Sequence, residues 1–332
     1  MTVPVPFSRL AVIGGGAWGT ALALAARRAG RDVRQFARDP HVVEALGARG
    51  ENPAYLPGIS PGLPIRATTD LETALQGAEA VLLVTPAQTT RQMAGEIAAR
   101  VPAGTPVVLC AKGLERESGL LLSQVLEEAA PGCIPAALSG PSFAADVARG
   151  LPTAVTVAAG DGDLADRLSL TLASAQFRPY AATDLPGVQI GGALKNVLAI
   201  ACGAVEGKGW GASALAALTA RGFAELSRLG LALGARTETL AGLSGLGDLV
   251  LTCSSPQSRN FAFGMALGRG EAALSGGKLA EGVHTASVAV AFASRHGVEV
   301  PVSAAVADVL SGSISVDGAL EALMSRPLRR EA

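Results

Sequence analysis

This chain has few of the residue types on which several common functions depend. Its 332 residues include four cysteines and three histidines, and aromatic residues make up 4%. The cysteines are far apart and show no metal-binding spacing, so we predict no metal site and reduced thiols in the core of an intracellular protein. With so few histidines, an acid–base site must draw on lysine or on a carboxylate.

An excess of charge is also missing. The 27 Lys and Arg residues are nearly balanced by 28 Asp and Glu residues, and the net charge of -1 argues against a general binder of nucleic acid or of membrane surfaces. No apolar run reaches the roughly 18 residues of a membrane span. Residues 1–8 contain no basic segment leading into an apolar stretch, so we expect no signal peptide and a cytoplasmic protein.

Apolar residues, in contrast, are abundant. They make up 49% of a chain that is long enough for two domains, so we expect a large buried core. Up to about residue 180, short apolar strands alternate with helices, which predicts an open, mostly parallel sheet with helices on both faces. From about residue 185 the periodicity is helical only. We therefore predict an α/β domain over residues 1–185 and an all-helical domain over residues 186–332.

The run GGGAWG at residues 14–19 is the clearest motif of the first domain. It follows a predicted strand at Arg9–Ile13 and precedes a predicted helix, and this GxGxxG context indicates a dinucleotide site. Gly14 permits the tight turn, Gly16 lets the backbone approach a pyrophosphate, and Gly19 lets the helix pack close to the sheet. The alternative is a glycine-rich turn that binds no ligand.

Two residues after the second predicted strand bear on the choice of cofactor. Arg38 can take the 2′-phosphate of NADP, whereas Asp39 keeps NAD open, because an acid in this region binds the adenosine ribose. Both could instead be solvated residues of a turn. We lean toward NADP on the strength of Arg38.

Lys195 stands in a long apolar stretch, residues 188–205, that we predict to be a buried helix. On a period of 3.6, its face is shared only with small residues: Gly191, Gly192, Ala199 and Cys202. Buried helices seldom carry a lysine unless it is paired or functional. The structural alternative is close helix packing, with the lysine stem reaching out to water.

Loops after predicted strands supply further polar residues in the first domain. Lys112 follows one strand and the turn at residues 139–143, which contains Ser142, follows the next. Ligands bind beyond the carboxyl ends of strands in such sheets. The alternatives are a surface lysine and a helix cap.

The helical part carries three further candidates. We predict a flexible stretch over residues 242–249 that contains Asp248. The triplet at residues 258–260 offers a hydroxyl, a guanidinium and an amide, a set that suits a phosphate group, although a helix start with a solvated arginine is the alternative. Glu281 is expected in a glycine-rich loop, where it could face a ribose.

Seven motifs occur in an order that matches one known family. They are GGGAWGTALA at 14–23, NPAYLPG at 52–58, AKGLE at 111–115, LSGPSFA at 138–144, GGALKNVLAI at 191–200, GLSGLGDLVLTC at 242–253 and SRN at 258–260. With them, the chain resembles the bacterial-type NAD(P)-dependent glycerol-3-phosphate dehydrogenases over almost its whole length. The resemblance implies a Rossmann-type doubly wound domain followed by an all-helical domain like that of 6-phosphogluconate dehydrogenase.

The resemblance also implies hydride transfer between dihydroxyacetone phosphate and sn-glycerol 3-phosphate, which supplies the glycerophospholipid precursor. Its implied catalytic residues are Lys195 as proton acceptor, with Lys112 and Asp248. The implied substrate contacts are Lys112, Gly140, Ser142, Lys195, Asn196, Asp248, Thr252, Ser258, Arg259 and Asn260. The implied NAD(P) contacts are Gly14, Gly16, Ala17, Trp18, Gly19, Arg38, Lys112, Ala144, Arg259, Leu279 and Glu281. A homodimer is expected by analogy.

The chain departs from the family pattern at a few positions. Ala17 stands where serine is common and Phe36 where tryptophan is common, while Ser213 and Ala220 replace an expected asparagine and threonine. Two other functions are alternatives. One is a dehydrogenase of the 3-hydroxyacid or 6-phosphogluconate type, against which the SGPSFA and SRN stretches speak. The other is a catalytically silent NAD(P) sensor that binds a partner through its helical domain.

Overall fold

The computed structural model describes residues 4–271 and 280–327. Contacts between Cα atoms divide the chain into two compact units, Met1–Gln189 and Ile190–Ala332. The long helix at Leu185–Gly207 contains the point of division.

The first unit alternates strands and helices along the chain. Its elements in order are β1 Arg9–Ile13, α1 Ala17–Arg28, β2 Asp32–Phe36, α2 Pro40–Arg49, β3 Arg66–Thr68, α3 Leu71–Leu75, β4 Ala80–Leu83, α4 Thr90–Ala98, β5 Pro106–Leu109, α5 Leu122–Ala129, β6 Ile134–Ser139, α6 Ala144–Arg149, β7 Thr153–Ala159, α7 Gly162–Leu172 and β8 Phe177–Ala182.

The eight strands form one sheet in the order β3-β2-β1-β4-β5-β6-β7-β8. All neighbours are parallel except β6 and β7, which run antiparallel. The strand order reverses between β1 and β4, and ligands of open α/β sheets bind beyond the carboxyl ends of the strands at such a point. The glycine turn at residues 14–19 begins at this position, directly after β1.

Strand alternation divides the core of this unit into two layers. Leu10 and Val12 of β1 pack into one hydrophobic cluster, and Ala11 and Ile13 pack into the other. Successive side chains of a strand point to opposite faces, so a strand covered on both sides must be apolar throughout. On one face α1 packs against α6, and on the other α4 packs against α5. The predicted doubly wound, mostly parallel sheet is confirmed.

The described part of the second unit is helical. Its elements are α8 Leu185–Gly207, α9 Ala212–Ala232, α10 Thr237–Leu240, a π-helical turn Leu243–Gly247, α11 Asp248–Cys253, α12 Arg259–Gly268, α13 Glu281–Arg295, α14 Pro301–Leu310 and α15 Val316–Met324. Its core contains Val197 and Ile200 from α8, Phe263 from α12, Ala286 from α13 and Val306 from α14.

By its length and composition alone, helix α8 could cross a membrane. However, 89% of its apolar window is buried inside the protein. Its apolar surface is therefore covered by other parts of the chain, as is typical of a core helix. The four cysteines are buried free thiols, as predicted.

A buried carboxylate joins two helices of the second unit. Glu225 of α9 is 1% exposed, and it accepts hydrogen bonds from the backbone N–H groups of Val302 and Ser303 and from the Ser303 hydroxyl. These N–H groups belong to the first turn of α14, where the helix itself supplies no acceptor. Burial raises the pKa of the Glu225 carboxyl, and the hydrogen bonds only partly oppose this effect.

Replacing Glu225 by alanine should lower the free energy of unfolding by about 2–4 kcal/mol, because the first turn of α14 would lose its buried acceptor. Denaturant unfolding measures this change. The exposed Glu321 of α15 offers a control, and Glu321→Ala should shift stability by no more than about 0.5 kcal/mol. A Glu225→Ala protein as stable as the native one would contradict the assignment.

The same carboxyl should also make stability depend on pH. Because its pKa is raised on folding, the folded chain binds more protons than the unfolded chain between the two pKa values. The native protein should therefore lose stability relative to Glu225→Gln as the pH rises through that window. Parallel denaturation curves at several pH values measure the difference, and an unchanged or growing difference in favour of the native protein would refute it.

Candidate functional site

The glycine turn after β1 leaves room for a ligand at one position and permits close backbone contacts at two others. Gly14 has a φ of +140°, and a Cβ there would lie 2.8 Å from the Val84 carbonyl oxygen. A Cβ at Gly19 would lie 2.1 Å from the Gly14 carbonyl oxygen. At Gly16, which precedes α1, an added Cβ meets no atom within 4 Å.

This geometry fits the pyrophosphate of a dinucleotide. The first turn of α1, which begins with Ala17 and Trp18, has backbone N–H groups without acceptors inside the helix. Such N–H groups and the positive end of the helix attract phosphate. The open space at Gly16 lets a phosphate come close to them. Trp18 is packed against the core, and its indole N–H is buried without a hydrogen-bond partner.

The two residues considered for cofactor choice have different surroundings. The Asp39 carboxylate accepts a hydrogen bond from the His41 backbone N–H at 2.9 Å and caps α2. Arg38 is exposed immediately before it. Asp39 therefore caps a helix while remaining exposed, and the choice between NAD and NADP stays a prediction.

A second group of predicted residues lies at the carboxyl ends of β5 and β6. The Lys112 ammonium donates to the Gly140 carbonyl oxygen at 3.3 Å, and the Ser142 hydroxyl donates to the same oxygen at 3.1 Å. Ser142 does not cap α6, because Phe143 occupies that position and Ala144 begins the helix. The first unit thus brings Lys112, Gly140 and Ser142 together.

An ion pair between Arg91 and Glu115 holds the loop that carries Lys112, and neither residue is among the predicted site residues. Arg91 donates to both carboxylate oxygens of Glu115, at 2.9 and 2.8 Å. Glu115 is the last residue of the AKGLE motif and is buried. The Arg91 hydrogen bonds and that of Ser118 hold the pKa of the Glu115 carboxyl below its ordinary value. The AKGLE motif could have indicated this contact, because a buried glutamate requires a positively charged or hydrogen-bonding partner.

Lys195 lies at the centre of the second unit's polar core. It is 7% exposed, and its ammonium donates to Asp248 at 2.5 Å and to the Thr252 hydroxyl at 3.0 Å. The Thr252 hydroxyl in turn donates to the Asp248 carbonyl oxygen at 2.6 Å. The predicted residues Lys195, Asp248 and Thr252 are therefore in direct contact, and the lysine is paired inside the protein rather than extended to solvent.

The stretch that carries Asp248 is ordered, so the expectation of a flexible segment over residues 242–249 is wrong. It forms a π-helical turn followed by α11, and Asp248 is fully buried. A Cβ at Gly191 of α8 would lie 2.3 Å from the Ser244 carbonyl oxygen. The glycines of this stretch indicated freedom, but the stretch is instead packed, and Gly191 of α8 permits the backbone of that helix to touch the Ser244 carbonyl group.

A further group surrounds Glu281, which begins α13 and does not lie in a loop as expected. Its carboxylate lies 3.8 Å from the Arg259 guanidinium and accepts from the Asn196 amide at 3.4 Å. The Asn260 side-chain oxygen accepts from the Gly282 backbone N–H at 2.8 Å. Since helix N-termini present unpaired N–H groups, this bond fastens α12 to the start of α13.

Two predicted residues remain to be placed. Ser258 caps α12, since its hydroxyl accepts from the Phe261 backbone N–H at 3.3 Å. Leu279 lies outside the described residues. Among the described residues of the second unit, the predicted positions thus form one buried group around Lys195 and one partly exposed group around Glu281.

These features define a class of protein. A glycine turn at the switch point of a parallel sheet, in a chain whose second unit carries a buried lysine on its first helix, is typical of two-domain dehydrogenases that bind NAD or NADP. Within that class, residues 9–165 match the family model for the N-terminus of NAD-dependent glycerol-3-phosphate dehydrogenase, and residues 184–321 match that for its C-terminus. The chain belongs to this family.

Relatives that match over nearly their full length belong to the same family. A protein of Azorhizobium caulinodans named glycerol-3-phosphate dehydrogenase (NAD(P)+) is 59% identical over 98% of this chain and 99% of its own. A protein of Mesorhizobium japonicum with the same name is 58% identical over 97% of this chain and 94% of its own. The crystal structure of glycerol-3-phosphate dehydrogenase from Coxiella burnetii superposes with a TM-score of 0.90 at 36% identity, covering 96% of this chain and 99% of that one. The resemblance inferred from the seven motifs is confirmed.

The buried pair between Lys195 and Asp248 should be strongly coupled in stability. Lys195→Met alone should destabilise the protein by about 3–5 kcal/mol, because the buried Asp248 carboxylate loses the ammonium that it contacts. Adding Asp248→Asn should restore much of this loss, since neither of these two positions then carries a charge. Denaturant unfolding of both single variants and the double variant gives the coupling energy. Additive effects of the two substitutions on the free energy of unfolding would show that the two residues are not energetically coupled.

Proposed function

We propose that this protein is an NAD(P)-dependent dehydrogenase that interconverts dihydroxyacetone phosphate and sn-glycerol 3-phosphate, and so supplies the precursor of glycerophospholipids. The observation that carries the proposal is the buried Lys195 ammonium, held by Asp248 and Thr252 in a chain of this family. Residues 1–185 act as the dinucleotide-binding domain and residues 186–332 as the substrate and catalytic domain. The protein works in the cytoplasm as a homodimer, by analogy with dehydrogenases of this architecture.

Several residues would hold the cofactor. The backbone around Gly14, Gly16 and Gly19 and the first turn of α1, with Ala17 and Trp18, take the pyrophosphate, and Arg38 takes the 2′-phosphate of NADP. The remaining proposed contacts are Lys112, Ala144, Arg259, Leu279 and Glu281. When bound, the nicotinamide gives or accepts the hydride.

The proposed task of Lys195 is proton transfer at the substrate's C2 oxygen. In the reducing direction its ammonium protonates the forming alkoxide, and in the oxidising direction its amine accepts the hydroxyl proton. A proton donor must be held within hydrogen-bond reach of its target. The two hydrogen bonds to Asp248 and Thr252 fix the position of the nitrogen. Lys112 is proposed as a further catalytic residue and substrate contact, because a positive charge favours negative charge that develops on an oxygen.

The substrate phosphate is assigned to the triplet at residues 258–260 with Asn196 of the second unit, and Gly140 and Ser142 of the first unit are proposed as further substrate contacts. Within the protein, the Ser258 hydroxyl and the Asn260 side-chain oxygen are used as hydrogen-bond acceptors. The hydroxyl proton and the amide N–H groups are donors, which is what a phosphate requires. The Arg259 guanidinium adds charge and a forked set of donors.

The activity is tested by absorbance at 340 nm on mixing the protein, dihydroxyacetone phosphate and either NADPH or NADH. We expect decay with both cofactors, faster with NADPH, and no measurable turnover for Lys195→Ala, because the alkoxide would lack its proton donor. Cofactor affinity, measured by fluorescence titration, should stay within about threefold of native, since the lysine is not a pyrophosphate ligand. Absence of decay in the native protein would favour the silent sensor, and a Lys195→Ala variant with most of its kcat would remove the role assigned to the lysine.

Replacing Arg259 by alanine should mainly weaken binding of the phosphorylated substrate. Loss of one charge-assisted contact corresponds to about 2 kcal/mol, or a rise in KM of roughly thirtyfold. Arg295→Ala is a suitable control, because Arg295 ends α13, away from its first turn. Initial rates against dihydroxyacetone phosphate give KM and kcat. An unchanged KM for Arg259→Ala would exclude this residue from the phosphate site.

A further inference from the structure

The NPAYLPG motif at residues 52–58 has no part in the chemistry described above, yet its first residue contacts the glycine turn. Asn52 is 1% exposed, and its side-chain amide donates to the Gly15 carbonyl oxygen at 2.9 Å and to the Thr20 hydroxyl at 2.7 Å. A second buried amide acts in the same way from β2. Gln35 donates to the Gly14 carbonyl oxygen at 2.8 Å.

The motif is built to present Asn52 in this position. Its carbonyl oxygen accepts from the backbone N–H groups of Tyr55, at 3.1 Å, and Leu56, at 2.7 Å, so the chain turns tightly just after it. Pro53 restricts Asn52 to extended backbone angles. Leu56 is buried in the same core that covers α1, which anchors the turn. The local sequence therefore fixes the asparagine, and the asparagine fixes a distant loop.

The direction of these hydrogen bonds matters because a trans peptide is planar. The C=O of one residue and the N–H of the next lie in the peptide plane and point in opposite directions. Holding the Gly15 carbonyl toward Asn52 therefore turns the Gly16 N–H away from Asn52. Likewise, holding the Gly14 carbonyl toward Gln35 turns the Gly15 N–H away from Gln35. Without such contacts, consecutive glycines would rotate freely between many backbone states.

Asn52 and Gln35 form these hydrogen bonds through their side-chain NH₂ groups. The side-chain oxygens of Asn52 and Gln35 are buried without hydrogen-bond partners. A buried acceptor without a partner costs free energy, so half of each amide's bonding capacity is left unused to hold a glycine carbonyl. An apolar side chain would avoid this cost but would leave the carbonyl without its donor.

We propose that Asn52, assisted by Gln35, is a positioning residue that orients the backbone N–H groups of Gly15 and Gly16 to receive the pyrophosphate of a dinucleotide. This inference rests on the proposed function, because it assumes that the turn binds NAD(P). The asparagine itself does not touch the ligand. It fixes in advance the peptide orientation that binding requires, so that binding does not have to order the loop.

The test measures binding of ADP-ribose, which has the pyrophosphate but no nicotinamide, by isothermal titration calorimetry. Asn52→Leu has similar volume but no donor, and its Kd for ADP-ribose should rise by about tenfold or more. The KM for NADPH should rise in parallel, while kcat at saturating NADPH should change by less than about twofold. Asn52→Ala, which adds no bulk, should show the same pattern and serves where the leucine variant does not fold.

Thr171→Val is the matched control. Thr171 is fully buried in the same unit, and its hydroxyl accepts from the Phe7 backbone N–H and donates to the Arg167 carbonyl oxygen. Phe7 precedes β1, whereas the glycine turn follows it, so the control loses buried hydrogen bonds away from the turn. Its Kd for ADP-ribose should equal that of the native protein.

The outcomes are distinct. Native affinity in both Asn52 variants would overturn the positioning role, and so would an equal loss of affinity in Thr171→Val, which would indicate general destabilisation. A native protein that bound neither ADP-ribose nor NADPH would instead overturn the proposed function, and the inference with it. A loss confined to the Asn52 variants would support the inference.

Discussion

A buried ion pair between the Lys195 ammonium and the Asp248 carboxylate is the interaction on which the polar core of the helical unit depends. Taking each charge out of water costs several kcal/mol, and mutual attraction offsets this only when the contact is close and further hydrogen bonds are made. Both conditions are met, since the pair is in contact and Thr252 bonds to both residues. Each charge is unstable in this place without the other, so the two side chains hold each other in position.

The pair in turn depends on backbones that come unusually close. A Cβ at Gly191 would lie 2.3 Å from the Ser244 carbonyl oxygen, and one at Gly245 would lie 1.9 Å from the Leu240 carbonyl oxygen. A side chain at Gly191 would push α8 away from the π-helical turn, and one at Gly245 would push that turn away from the end of α10, so either would disturb the contact of Asp248 with Lys195. Single π-helical turns often occur at functional sites, where they change the direction of a following residue. The glycines therefore serve the geometry of the ion pair.

Local patterns were enough to predict most of the fold, whereas the details of the site depend on contacts between distant residues. The strand β1 follows from its continuous apolar run and the glycine turn from its glycine spacing, and the helical second part follows from its periodicity. The order of residues 242–249 and the helix that begins at Glu281 did not follow, because glycine in a sequence indicates freedom in the unfolded chain and says nothing of what packs against it. The role of Asn52 likewise depends on a contact with a distant part of the chain. Its bond to Gly15 spans 37 positions, and no local pattern indicates it.

The two kinds of charged contact in the helical unit suit the different tasks proposed for them. Lys195 and Asp248 are buried, and breaking such a pair is costly. Arg259 and Glu281 are 59% and 51% exposed and 3.8 Å apart, and exposed pairs of this kind contribute at most about 1 kcal/mol. A proton donor must return to one position in every turnover, which a strong pair ensures. An arginine that binds a phosphate must give up its internal partner each time the substrate enters, so a strong pair there would subtract directly from substrate affinity. The exposure of Arg259 is therefore part of what qualifies it as an anion ligand.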